Sequence, residues 1–298
     1  MKRREFIKIA GVAAAALYGV HDNLLLAQNS TPDVVRVTGG EPVSMLQTAL
    51  NEFGGLKTFI SKGDVVVVKP NIGWDRAPEL AGNTNPDLIA EIVKQCLALG
   101  AKKVKIFDRT CNNPQRCYAT SLIEEKAVEA GAEVTHVEDN LFKMVPLKNG
   151  RILKEWPTYQ EYLEANKIIN VPIAKHHRIA GVTLGMKNLM RVMGGTRGDI
   201  HTPFSTKLLD IVSEILPTLT IIDAYRILTA NGPSGGSPDD VKLTKTLVVS
   251  PCTVSADASI LDLFGLTVGQ VEHVKEAYER GLAKYDASKL KVKQISLP

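Results

Sequence analysis

Residues 174–201 read AKHHRIAGVTLGMKNLMRVMGGTRGDIH. They concentrate side chains that do chemistry: three of the chain's six histidines, the cations Lys175, Arg178, Lys187, Arg191 and Arg197, five glycines, and a single acid, Asp199. A solvated face mixes its charges, so a run this one-sided marks a place where something negative binds. Gly181, Gly185, Gly194, Gly195 and Gly198 allow close backbone approach and exposed amide N–H groups, while the lysines and arginines supply charge. Together they describe an anion cradle. The Gly-Lys-Ser/Thr ending of a P-loop is missing, as is a G-x-G-x-x-G turn after a first strand, so a nucleotide is not the favoured ligand.

The histidines of this run admit three readings: metal ligand, proton carrier, or a hydrogen-bonded structural residue. Neighbours on an extended segment point to opposite sides, so only one of His176 and His177 is expected to face the cleft. A metal site would need His201 completed by Asp108, Asp223 or Asp257. Asp257, early in a helical pattern, equally suits the positive end of a helix dipole.

The elements that must position these groups follow an alternating pattern. The runs at 64–69 (DVVVVK), 102–107 (KKVKIF), 167–170 (KIIN), 219–223 (LTIID) and 246–250 (TLVVS) are short, apolar and β-branched, as buried parallel strands are. Helical patterns separate them. NPDLIAEIVKQCLALG carries Asn85 as N-cap, Pro86 at the first helical position and Gly100 at its end. SLIEEKAVEAG, STKLLDIVSEIL, SADASILDLFG and GQVEHVKEAYERG read the same way. The expected fold is therefore α/β, a mostly parallel sheet with helices on both faces, in one domain over 28–298, with a second smaller lobe over about 140–215 as an alternative.

Ligands of such sheets bind beyond the carboxyl ends of the strands. There the chain places PNIGWDRAPELAGNTN after the first strand, Asp108 and Arg109 with a cysteine loop after the next, the run 174–201 after the third, and Asp223, Tyr225, Arg226 and NGPSGG after the fourth. The expected site has His177, Lys187, His201 and Asp223 in catalytic roles, and Lys69, Asn71, Asp108, Lys175, Asn188 and Arg191 binding substrate.

At the N-terminus, Lys2-Arg3-Arg4-Glu5-Phe6-Ile7-Lys8 and the apolar IAGVAAAALYGV match a twin-arginine export signal over residues 1–27. The apolar run is short and rich in Gly and Ala for a bilayer span, so a permanent anchor is the weaker reading. The net charge of +4 is too small to suggest DNA or RNA as a partner, and half of it lies in the signal. In an exported protein Cys111 and Cys117 are equally read as a small disulfide or as two free thiols. No C-x-x-C occurs, so neither an iron–sulfur cluster nor structural zinc is expected from this chain alone.

The order VVVKPN, NTNPDLI, IFD, INVPIAKHHRIAGVTLGMKNLM, His201, IIDA before NGPSGG, and SADA resembles the family catalogued as domain of unknown function 362, from about residue 33 to 285. Some members of that family carry an added ferredoxin-like cysteine module, which this sequence lacks. The run HRIAGVTLGMKNLMRVMGG with His201 also resembles, more remotely, the nickel-pincer lactate racemase superfamily. That resemblance implies His177 near a reacting carbon, Lys187 as the lysine tethering the pincer and His201 as the nickel ligand. Leu184 stands where that pattern has glycine.

Two functions follow as expectations. One is a periplasmic enzyme, exported by the twin-arginine translocase, acting on a small carboxylate- or phosphate-type substrate with or without a metal. The other is a non-catalytic protein that binds or delivers a metal, a cofactor or an organic anion.

Overall fold

A computed structural model describes residues 31–283 and 287–298. The twin-arginine stretch, 1–27, lies outside them, and Pro32–Pro298 form one compact unit. Among the described residues twelve strands run β1 (Val34–Thr38), β2 (Val65–Pro70), β3 (Lys103–Ile106), β4 (Glu133–Val134), β5 (Phe142–Pro146), β6 (Glu155–Tyr159), β7 (Lys167–Val171), β8 (Ile173–His177), β9 (Gly181–Thr183), β10 (Leu219–Leu228), β11 (Val241–Ser250) and β12 (Val292–Ser296). The α-helices are α1 (Pro42–Asn51), α2 (Pro86–Ala98), α3 (Pro114–Thr120), α4 (Ile123–Glu129), α5 (Gln160–Leu163), α6 (Gly185–Asn188), α7 (Phe204–Val212), α8 (Thr253–Ala258) and α9 (Glu272–Glu279).

The main sheet has the order β12-β1-β11-β10-β7-β2-β3-β4, with β8 and β9 joined to it through β10. Neighbours from β10 through β4 are all parallel, as are β1 and β12. Side chains alternate between the two faces of a strand, and β2 shows the result. Val66 and Val68 pack into one core with Met45 of α1 and Ile92 of α2, while Val67 packs into the other with Leu208 of α7 and Val274 of α9. The sheet is covered on both faces, as its apolar runs predict. α2 starts as expected: the Asn85 carboxamide accepts from the amides of Asp87 at 3.0 Å and Leu88 at 3.3 Å, Pro86 follows, and Gly100 takes the left-handed conformation after the end.

One strand direction is corrected. TLVVS belongs to β11, which is antiparallel to both β10 and β1. Burial on both faces makes a strand apolar whatever its direction, so composition carried no directional information. The connection decides it: residues 229–240 hold only a short 3₁₀ turn, too little for the crossover that a parallel pair needs.

Residues 140–215 are part of the same compact unit. Within them β5 and β6 form a separate antiparallel ribbon. Asp210 of α7 ties this ribbon down, accepting from the amides of Arg151, Ile152 and Leu153 at 2.8–2.9 Å and from Arg280 at 2.7 Å. Among the described residues no helix is long and apolar enough to cross a membrane.

Candidate functional site: a cationic cleft at the strand ends

The cleft begins where the sheet divides. β2 pairs with β7 as far as Pro70 and Val171, and Pro172 then removes a ladder donor. Beyond it β8 keeps company with β10 and turns back as β9, while the chain after β2 leaves as the loop 71–85. Between them lies a cavity of about 610 Å³. Its lining includes Lys175, Arg178, Lys187, Arg191 and Arg197 together with His176, His177 and His201, and contains no aspartate or glutamate.

Behind the lining sits a buried polar layer that aims it. Lys69 pairs with Asp108 at 2.8 Å, and Asp108 also accepts from the Ile72 amide at 2.6 Å and faces Arg191 at 3.7 Å. The side-chain Nδ2 of Asn71 donates to Asn188, that of Asn188 to Asn170 and that of Asn170 to the Gly185 carbonyl, at 2.9, 2.9 and 3.0 Å. Lys175 donates to Asn71 at 3.2 Å and to the Gly82 carbonyl at 2.6 Å. Lys69, Asn71, Asp108 and Asn188, expected to touch substrate, are thus supports that do not line the cavity. Their polar groups meet one another because a buried group without a partner costs about 1–3 kcal/mol.

Asp223 and Asp257 are corrected as well. Asp223 does not end its strand, because β10 runs on to Leu228. Its carboxylate accepts from the amides of Asn85 at 2.8 Å and Tyr225 at 3.1 Å, away from the cleft, and burial raises its pKa to about 6. Asp257 accepts from the amides of Gly185 at 2.7 Å and Met186 at 2.9 Å, capping the one-turn helix that carries Lys187; burial raises its pKa to about 7. A Cβ on Gly185 would meet Thr253 at 2.6 Å and Asp257 at 2.8 Å, so only glycine lets these amides approach so closely. The candidate metal set of His201, Asp108 and Asp257 is not brought together, and no group of three His, Cys, Asp or Glu among the described residues is placed to hold one metal ion.

Both neighbouring histidines reach the cavity, contrary to the alternation argument, because the loop at Asn231–Ser234 folds over the far side of β8 and extends the lining around it. Gly232 makes that approach possible; a Cβ there would lie 1.9 Å from the His176 carbonyl oxygen. His176 accepts at Nδ1 from the Gly232 amide at 3.2 Å. His177 accepts at Nδ1 from the amides of Ile179 at 3.2 Å and Ala180 at 3.1 Å, and burial reinforced by Lys187 and Lys175 lowers its pKa to about 3. A neutral ring accepting at Nδ1 carries its proton on Nε2, so His177 is a donor. His201 is the reverse. Its Nδ1 lies 3.2 Å from the Gly198 carbonyl, which can only accept, so the proton sits there and Nε2 offers a lone pair. Burial and Lys187 also lower its pKa.

Lys187 touches the Met190 thioether at 3.0 Å and lies over the Phe204 ring at 5.4 Å. Burial, then Arg191, lower its pKa to about 7. Arg191 donates to the Arg109 carbonyl at 3.0 Å and to the Cys111 sulfur at 3.7 Å; Arg197 donates to the carbonyls of Arg109 and Thr110, both at 3.2 Å. Burial raises the pKa of Cys111, but Arg191 and Arg197 outweigh it and the net direction is down. Cys111 and Cys117 are free thiols, Cys111 at the cleft and Cys117 in the core on α3. Two further donors that line the cavity, Thr183 Oγ1 and Trp74 Nε1, are buried and make no hydrogen bond among the described residues.

Cys111 and Thr183 were not legible as site residues. Their segments were placed at the strand ends, but nothing marks these two side chains within them; they reach the cleft because β9 folds back on β8 and residues 109–111 are held by the two arginines.

The domain of unknown function DUF362 matches residues 66–262, which spans the whole cleft. The chain belongs to that family. This DUF362 protein is 25% identical over 241 residues to a thylakoid-associated protein of Synechocystis sp., covering 76% of the present chain and 71% of the relative. Its fold is distantly similar to the lactate racemase apoprotein of Thermoanaerobacterium thermosaccharolyticum, at a TM-score of 0.44, 12% identity and 72% coverage of this chain. A Thermotoga maritima protein gives 0.43, 11% and 76%. The chain spans 54% and 60% of those two structures' lengths.

Proposed function

We propose that this DUF362 protein is an exported enzyme that binds a small carboxylate or phosphate anion in the cleft and moves a proton on it. The observation that carries the reading is the lining itself, five cationic side chains and three histidines with no acid among them. Charges of one sign held together are stabilised by an occupant of the other sign, and donors already aimed at it need no reorganisation when the anion arrives. Arg191, Arg197 and Lys175 keep N–H groups beyond those used in their internal hydrogen bonds. Thr183 and Trp74 add two neutral donors.

The histidines supply the chemistry. His201 takes a proton at Nε2 and His177 donates from Nε2–H to oxygen as charge develops there, a complementary acid and base set by the opposite hydrogen bonds at their Nδ1 atoms. The Arg3-Arg4 stretch and the apolar run after it support export by the twin-arginine route, with a periplasmic or equivalent destination.

Calorimetric titration of the mature chain with oxalate and with phosphate tests the binding step. Saturable binding that weakens strongly in Lys187→Ala and barely in Lys291→Ala is expected; equal weakening would reduce the cleft to nonspecific charge. Turnover separates the enzyme from a protein that only binds or delivers its ligand. His201→Ala is expected to abolish turnover while oxalate binding and melting temperature stay close to those of the parent.

A further inference from the structure

We propose that Lys187 is a nucleophilic amine that condenses with the carbonyl of a 2-oxo acid whose carboxylate is held by Arg191 and Arg197. The proposal rests on the anion-binding reading of the same cleft and names its substrate class. Lys187 differs from the other cations there. Lys175 is anchored to an amide oxygen and a backbone carbonyl, and Arg191 and Arg197 to carbonyls of the 109–110 segment, each with further N–H groups left for a ligand. The contacts of Lys187 are a thioether and an aromatic face, neither of which compensates a full charge as a carboxylate would.

The charged groups acting on it and around it are Arg191, Arg197, Lys175, His177, His201 and His273, with Cys111 as the one group of opposite tendency. In the empty cleft, burial among cations favours the neutral amine, which attacks a carbonyl well. The helix that bears it is pinned at Gly185 and Met186 by Asp257, so the amine is presented from a fixed base.

The step balances without an outside oxidant or reductant. The Lys187 lone pair forms a C–N bond to the carbonyl carbon, and the carbonyl oxygen accepts the His177 Nε2–H as it gains charge. The C–O bond then breaks and the oxygen leaves as water, whose two hydrogens balance the two that the amine loses. His201 moves these protons and returns one to His177. The imine draws electrons from the adjacent carbon and acidifies its C–H bond, which is the proton that the base would then take.

Reductive trapping tests this. The mature chain is incubated with glyoxylate, pyruvate or 2-oxoglutarate and sodium cyanoborohydride at neutral pH, and the adduct is mapped by peptide mass spectrometry; oxalate binding is measured in parallel by calorimetry. At pH 7 an amine of pKa near 7 is free on the order of a thousand times more often than an ordinary lysine, so one adduct concentrated on Lys187 is expected. Excess oxalate should suppress it, and Lys187→Arg should lose it while still binding oxalate. Oxalate binding without a Lys187 adduct from any of the three acids overturns the proposal and leaves the anion cleft standing. An adduct spread evenly over surface lysines overturns it too, and failure of oxalate to bind overturns both.

Discussion

Gly73→Ala moves one cleft cation without removing any charge. A Cβ at Gly73 would lie 2.1 Å from Arg191 Nη2, 2.6 Å from Cζ and 3.0 Å from Nη1. Ordinary contact starts near 3.4 Å, so the guanidinium must retreat by about 1.3 Å. It has little room to do so, being held by the Arg109 carbonyl, the Cys111 sulfur and the Asp108 carboxylate. Gly73 has no positive φ, so the backbone accepts alanine and the whole perturbation falls on Arg191. A charged hydrogen bond is worth about 1.5–3 kcal/mol. Loss of one to the ligand weakens binding by roughly 10- to 150-fold.

The assay is calorimetric titration with oxalate beside a thermal melt. Overpacking is expected to cost about 1–3 kcal/mol of stability, leaving the variant folded for titration. Oxalate affinity within about twofold of the parent would show that Arg191 does not bind the anion, and the cleft's orientation would have to be rebuilt from Lys175 and Arg197 alone.

Three other outcomes follow from the same geometry. Asp257→Ala strands two buried amides, so a loss of about 2–5 kcal/mol is expected in a denaturant melt, with oxalate affinity falling alongside because the helix bearing Lys187 loosens. Lys69→Met leaves Asp108 buried beside Arg191 without its closest cation and should cost about 3 kcal/mol; adding Asp108→Asn should restore much of it, and a double variant no better than the single would contradict the pairing. The Lys187 amine, whose pKa burial lowers to about 7, should regain its proton when oxalate arrives, so affinity falls as pH rises above 7, by up to about tenfold per unit. In the opposite sense, the stability of the empty protein declines as pH falls from the ordinary lysine range toward 7, because the unfolded chain binds that proton more readily. Affinity flat between pH 6 and 9 would remove Lys187 from the binding step.

Local signals were strong enough to place α2, because Asn85, Pro86 and Gly100 each satisfy a requirement of the chain end they occupy. The apolar runs of β2, β7 and β10 were legible because a strand largely buried on both faces has little polar side to show, and β3 by its alternation of lysine with valine and isoleucine. Their order and the reversed β11 were not, since pairing depends on partners far along the chain. The β8–β9 turn-back was also hidden. Its sequence, IAKHHRIAGVT, mixes polar and apolar residues whether it forms a loose loop or the hairpin seen here.

The sequence by itself determined that residues 174–201 carry a surplus of positive charge, and Lys175, Lys187, Arg191 and His201 do share one cavity. Only the tertiary structure separated polar residues that face the cavity from those that hold it up. Lys69, Asn71, Asp108 and Asn188 have the same chemistry as lining residues, yet they are buried against one another, and Asp223 and Asp257 are consumed by backbone amides. The physical reason is that a charge or an amide has no intrinsic role. Its partner decides whether it is available to a ligand, and partners here come from strands and loops up to 138 residues apart.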